Sequence, residues 1–226
     1  LDYMQTPHYF GHIELARPVY YIQYFSTILK ILKCVCFKCS KLKINKEKHK
    51  AALNKENKLR FDYVYGLASK VGRCGDENDN GCGCKQPTKI RKDGLATIIA
   101  EWKKENSEEG EDSKVVMNLT PEHVLKIFRR ISDEDVEFMG FSPVWSRPDW
   151  MICQVLAVPP PAVRPSIKHD AQQRSEDDVS HIIVNIIKYN KILQEKMEQN
   201  APGKIIDDWH TILQYYIATM VNNKLP

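Results

Sequence analysis

The apolar positions along this chain change period from one stretch to the next. From Tyr20 to Leu32 they recur at Ile22, Phe25, Leu29 and Leu32, the spacing of a helix with one buried stripe. Ala51 to Val71 reads as a second helical stretch, with Leu59, Tyr63 and Leu67 on one side, and Leu95 to Lys104 as a third. Thr120-Pro121-Glu122 opens another helix, running to about Ile131. Thr120 is its N-cap, Pro121 sits at the first helical position, and Glu122 complements the positive end of the helix dipole. Ser132 to Asp135 starts a short helix after it.

The C-terminal part is the most regular. Ile182, Ile186, Tyr189 and Leu193 form one heptad seam, and Ile205, Trp209, Ile212, Tyr216 and Thr219 form another. Gln199-Asn200-Ala201-Pro202-Gly203 breaks the helix between them, so the pair, about 179–221, folds back as an antiparallel hairpin. At 1.5 Å per residue it stands ~30 Å tall. Elsewhere the signals are irregular. CVCFKC (34–39) suggests a strand end and a tight turn, and Gly72 to Gly83 a loop. Glu105 to Ser113 reads as a surface linker, VLAVPPPAVRP (155–165) as an extended proline-rich element, and SIKHDAQQRSEDD (166–178) as an exposed loop. There is no internal repeat.

Composition adds limits. The chain has 226 residues, 42% hydrophobic and 27% charged, which suits one large or two small globular domains. It begins Leu1-Asp2, as expected of a fragment. The most apolar region, Pro18 to Phe37, is interrupted by Gln23, Lys30 and Lys33 and falls short of a membrane span. The net charge of +4 is uneven: residues 1–92 hold 18 Lys and Arg against 8 Asp and Glu, residues 93–226 hold 15 against 21. A basic front half is compatible with a nucleic-acid partner, although the run KLKINKEKHK (41–50) reads as a solvated surface.

Seven cysteines, an odd number, are concentrated at 34–39 and 74–84, which suits a reducing compartment and a metal better than a disulfide frame. Structural zinc takes four thiolates or imidazoles in a tetrahedron, and Cys-x-x-Cys supplies two from one turn. Cys36 and Cys39 have that spacing; Cys34 projects to the opposite face if the backbone is extended. The second pair must come from Cys74 plus Cys82 or Cys84. Glycines on both sides of Cys82 free its backbone to turn the thiolate inward, which favours Cys82 and leaves Cys84 as the alternative fourth ligand. Cys153, in an apolar run, reads as a buried small hydrophobe. No Walker loop, GxGxxG, GxSxG or HExxH is present, the histidines are dispersed, and Asp177-Asp178 and Asp207-Asp208 read as solvated charges. Catalytic residues: none. A zinc hydrolase would need an open coordination position and a general base, and an all-cysteine site offers neither.

FGHIELARPV (10–19), CVCFKCSKL (34–42), GCGCKQPTKIRKDGL (81–95), IFRRISDEDVEFMGF (127–141), SRPDWMICQVLAVPPPAVRPS (146–166) and LQYYIATMVNN (213–223) closely resemble the largest subunit of multisubunit RNA polymerases, in particular the eukaryotic RNA polymerase II form. The agreement covers nearly the whole chain in order. The region it matches is the N-terminal clamp. The resemblance implies an α+β fold: a mainly helical, zinc-bearing clamp head with short strands, plus the antiparallel coiled-coil hairpin. The implied divisions are 1–24, part of the clamp core; 25–150, the clamp head; and 151–226, clamp core with a lid loop at about 163–178 and the hairpin.

The resemblance further implies that Cys36, Cys39, Cys74 and Cys82 are the clamp-head zinc ligands, that the lid helps part nascent RNA from template DNA, and that the hairpin docks initiation and elongation factors. It implies assembly with other polymerase subunits, especially the second-largest, contact with DNA and the RNA–DNA hybrid, and a nuclear location. The catalytic magnesium belongs to the intact polymerase, in a loop not in this chain. Where the family has Cys-Pro-Gly-His before Phe-Gly-His-Ile, this chain has Thr6-Pro7-His8-Tyr9, so a second zinc is not expected. Lys89, Arg91, Lys92, Arg164 and Arg174 are candidate phosphate contacts. The alternative is a stand-alone, zinc-stabilised nucleic-acid-binding transcription regulator.

Overall fold

A computed structural model describes residues 11–94, 97–104, 114–158 and 170–224, with only the backbone for 170–178 and 222–224. In chain order the elements are β1 (Gly11–Tyr20), α1 (Phe25–Cys34), α2 (Asn57–Ala68), β2 (Lys89–Asp93), β3 (Thr97–Lys103), β4 (Lys114–Leu119), α3 (Pro121–Arg129), α4 (Asp133–Phe138), β5 (Ile152–Val158), α5 (Asp170–Glu198) and α6 (Gly203–Lys224). The fold is α+β. Its described residues form two compact units, one joining the residues up to Ile22 with those from Cys153 onward, the other running from Gln23 to Ile152.

In the first unit, β1 and β5 form a two-stranded sheet, and α5 and α6 pack along each other as a helical hairpin. Ile13 and Val19 of β1, Leu156 and Val158 of β5, Ile182, Ile186 and Leu193 of α5, and Leu213, Ile217 and Met220 of α6 share one buried cluster with Cys153. The seam expected on α5 is the one that is buried. On α6 the seam is broader and turned by about one residue: Ile205 is exposed, while Ile206, Leu213 and Met220 face the core. The reason is that α6 meets both α5 and β1, so its inner face is wider than a two-helix seam. Trp209 and Tyr216 remain at the hairpin contact, stacking on Tyr189 at centroid distances of 5.9 and 5.1 Å.

The loop expected over 166–178 gives way to helix from Asp170. Residues 171–176 include Ala, Gln, Arg and Glu, all good helix formers, and no Pro or Gly interrupts the chain between Ser166 and Ala201. The rest of the lid expected at 163–178 lies outside the described residues.

In the second unit, α1 buries Phe25, Ile28, Ile31 and Leu32. On α2 the inner stripe is Phe61, Val64 and Ala68, while Leu59, expected inside, is 69% exposed. The turn after α4 sets this rotation. Gly140, at φ +97°, lies against the Asn57 carbonyl, and Phe141 packs edge-on to Phe61 at 5.0 Å. The helix expected over Leu95–Lys104 is instead strand β3, the centre of an antiparallel sheet ordered β2-β3-β4. Thr97, Ile98 and Ile99 are β-branched, and Ile98 faces Lys92 on one side and Leu119 on the other. Thr120 and Ser132 cap α3 and α4, accepting from the His123 and Asp135 amides. No helix among the described residues is long and apolar enough to cross a membrane.

Candidate metal centre

Two short backbone turns carry four of the thiols. The first follows α1: Val35 bridges Leu42, the Cys36 amide donates to the Lys41 carbonyl at 2.9 Å, and Ser40 donates back to the Cys36 carbonyl. Ser40 takes a left-handed φ of 62°, and its hydroxyl donates to the Ile127 carbonyl at 2.6 Å, fixing the turn from behind. In the second turn Arg73 bridges Lys85, with Cys74 and Cys84, then Gly83 and Cys74, joined through their backbones.

Glycine makes the second turn possible. A Cβ on Gly81 would lie 2.2 Å from the Gly75 Cα, and Gly83 sits at φ +81°. The chain between Cys74 and Cys82 can therefore close on itself and return Cys82 to the same side as Cys74.

The result is a cluster in which the Sγ atoms of Cys36, Cys39, Cys74 and Cys82 all lie within 4.8 Å of one another. Cys36 Sγ is 3.5 Å from Cys82 Sγ, and Cys39 Sγ is 3.7 Å from Cys74 Sγ. An ion bonded to four sulfurs at about 2.3 Å in a tetrahedron needs them roughly 3.8 Å apart, so this donor set fits a tetrahedral thiolate site, the preference of zinc or iron. Cys84 is outside the four; its thiol donates to the Lys85 carbonyl. Cys34 and Cys153 are buried elsewhere, Cys34 with a pKa pushed up to about 12 by burial.

The thiols are not equivalent. Burial works to raise the Cys36 pKa, but amide donors from Cys39 and Lys38, the Cys82 thiol and the Gln86 amide bring it down to about 7. Burial pushes Cys74 up to about 12 and also raises Cys39. Cys36 thus forms a thiolate more readily than Cys39 or Cys74, and a cation in the cluster would supply the charge that those two lack.

Gln86, with 2% exposure, gave no signal in the sequence. Its Oε1 accepts from the Phe37 amide at 3.1 Å, and its Nε2 donates to Cys36 Sγ at 3.2 Å and to the Cys84 carbonyl at 2.9 Å. One side chain therefore ties both turns and a sulfur together. Lys41 reaches the Asn80 carbonyl, and Asn78 donates to the carbonyls of Leu42 and Ile44, joining the same two segments.

The family model described as RNA polymerase Rpb1, domain 1 matches residues 2–226. The chain belongs to this family. It is therefore part of the N-terminal region of an RNA polymerase largest subunit, a component that assembles with other polymerase subunits and with nucleic acids.

The candidate phosphate contacts have separate surroundings within this Rpb1 domain. Lys89 is exposed and makes no ion pair among the described residues. Arg91 Nε pairs with Glu101 Oε1 at 3.2 Å across β2 and β3, and Lys92 Nζ sits 5.3 Å from the Phe25 ring centre. Arg164 lies outside the described residues, as does the side chain of Arg174. Residues 6–9, on which the expectation of no second zinc rests, also lie outside them.

Proposed function

We propose that this chain is clamp of the RNA polymerase II largest subunit: a non-catalytic lobe that closes over the DNA cleft in the nucleus. It helps separate RNA from template and presents the α5–α6 hairpin as a coiled coil that docks transcription factors. The single observation that carries the reading is the family match over residues 2–226, which weighs against a stand-alone regulator.

Cys36, Cys39, Cys74 and Cys82 would hold one zinc ion, which when bound cross-links the two turns. A lobe that swings as a body needs internal stiffness, and the two cysteine turns are joined to each other chiefly through side-chain hydrogen bonds such as those of Gln86 and Asn78. There, metal-binding free energy becomes folding free energy. Gln86, Asn78 and Lys41 orient the two segments toward each other. Lys89, with Arg91 and Lys92 beside it on β2, contributes phosphate contacts that are salt-dependent and blind to sequence. Arg164 and Arg174 do the same around the lid.

The test is reconstitution of the full subunit into polymerase, followed by elongation on a preformed RNA–DNA scaffold. Replacing Ile187 and Tyr215, both exposed on the hairpin, with Glu should leave elongation by the core enzyme intact and abolish factor-dependent stimulation. Retained factor response would refute the docking role, and failure of the subunit to assemble with the second-largest subunit would refute the whole assignment.

A further inference from the structure

A cavity of about 370 Å³ opens in the second unit between α1, α2 and the start of β2. Lys33, Lys43 and Lys89 line it with Tyr65, Ser69 and Thr88, the Thr88 hydroxyl donating to the Glu101 carbonyl, and no carboxylate is among its lining residues. Three ammonium groups on one small concavity repel one another unless an anion or nearby negative groups offset them.

Lys43 forms the buried side of this site. It is 4% exposed, and its Nζ donates to the Val71 carbonyl at 3.1 Å. An ammonium has three donors, so that bond leaves two N–H groups to be satisfied in a place of low exposure. Burial draws its pKa down to about 8, against the pull of the Cys34, Cys36 and Cys74 thiols. Lys33 and Lys89 make no ion pair among the described residues. The volume is at the small end of ligand clefts, which run from roughly 300 to 1,000 Å³.

We propose that this cavity binds a phosphate group, with Lys33, Lys43 and Lys89 neutralising its oxygens and the Ser69 hydroxyl donating a further hydrogen bond to it. A phosphate carries several acceptor oxygens and more than one negative charge, which suits a cavity bordered by three cationic side chains better than a single carboxylate does. The phosphate comes either from a small phosphorylated molecule or from a nucleic-acid backbone. The site stands on the cavity alone and does not depend on the clamp reading.

Calorimetric titration of the chain with inorganic pyrophosphate tests it. One saturable site per chain is expected, with affinity lowered at least tenfold in a Lys33→Gln/Lys89→Gln double variant. The variant changes one half-exposed and one exposed side chain, and circular dichroism confirms its fold. A Lys188→Gln/Lys191→Gln variant on the exposed side of α5 should bind as the parent does. Absence of saturable binding, or equal weakening in both variants, overturns the proposal. A single-stranded oligonucleotide that displaces pyrophosphate identifies the backbone as the source; one that leaves it bound identifies a small phosphate ester. Either outcome supports the site.

Discussion

The side-chain amide of Gln214 closes a ring of two hydrogen bonds with the backbone of Tyr20, accepting from its amide at 2.7 Å and donating to its carbonyl at 3.2 Å. Asn190, on α5, bridges two residues of the same strand, accepting from the Ala16 amide and donating to the Glu14 carbonyl, and the His210 ring bonds the Pro18 carbonyl at 2.7 Å. Glu14, Ala16, Pro18 and Tyr20 alternate along one edge of β1. Hairpin side chains thus occupy the place of a missing neighbouring strand, and Pro18, with no N–H to satisfy, fits that edge.

Gln214→Leu should therefore destabilise the first unit by about 1–3 kcal/mol, because it removes both of these hydrogen bonds to buried Tyr20. Urea denaturation followed by tyrosine and tryptophan fluorescence measures it. A change within a few tenths of a kcal/mol would mean that water replaces the amide at that edge.

The cysteine cluster makes a second prediction. Metal analysis of the purified chain should return one zinc. Cys39→Ser should lose the ion and loosen residues 34–95 in hydrogen exchange, while the α5–α6 hairpin, in the other compact unit, keeps its helical protection. Gly81→Ala should do the same without touching a sulfur, because its Cβ has no room beside Gly75. Two zinc ions per chain would overturn the expectation that the altered stretch at 6–9 costs the chain a second zinc, and equal loss of protection in the hairpin would show that the two units unfold together.

Much of this arrangement was legible in the sequence, for identifiable reasons. Thr120 and Ser132 declare their helices because capping is local chemistry. Cys36 and Cys39 stand at ligand spacing, and the glycines around Cys82 point to the loop that returns it, so the four clustered thiols could be chosen before any geometry was known. The missed elements depend on distant partners. Thr97–Lys103 is a strand because β2 and β4 flank it, and Leu59 points outward because Gly140 and Phe141 dock against α2. Gln86 and Gln214 look like ordinary polar residues until the fold brings a sulfur and a strand edge to them.

Arg147 spends its guanidinium on several partners at once. It pairs with Asp149 at 2.8 Å and with Asp133, and donates to the carbonyls of Phe128 and Ile131. Phe128 is in the last turn of α3, where helix carbonyls need outside donors, and Ile131 lies just beyond its end. Arg147→Lys keeps the charge but loses the planar fork, and should lower stability by about 1–3 kcal/mol, read from the urea midpoint. A lysine variant as stable as the parent would mean that the contribution is charge alone.

His123 lies in the first turn of α3, partly buried, and burial together with the positive charges of Lys126 and Arg130 holds its pKa below the usual 6.5. The unfolded chain then takes up a proton more readily than the folded one as pH falls through that value. Stability from this group is present above pH 6.5 and is lost on acidification through 6.5 toward the lower folded value. His123→Gln removes the titration, so the variant should lose less stability than the parent between pH 7 and pH 5. Parallel urea melts at the two pH values make the comparison. Identical losses in both proteins would place the acid sensitivity of α3 on other groups.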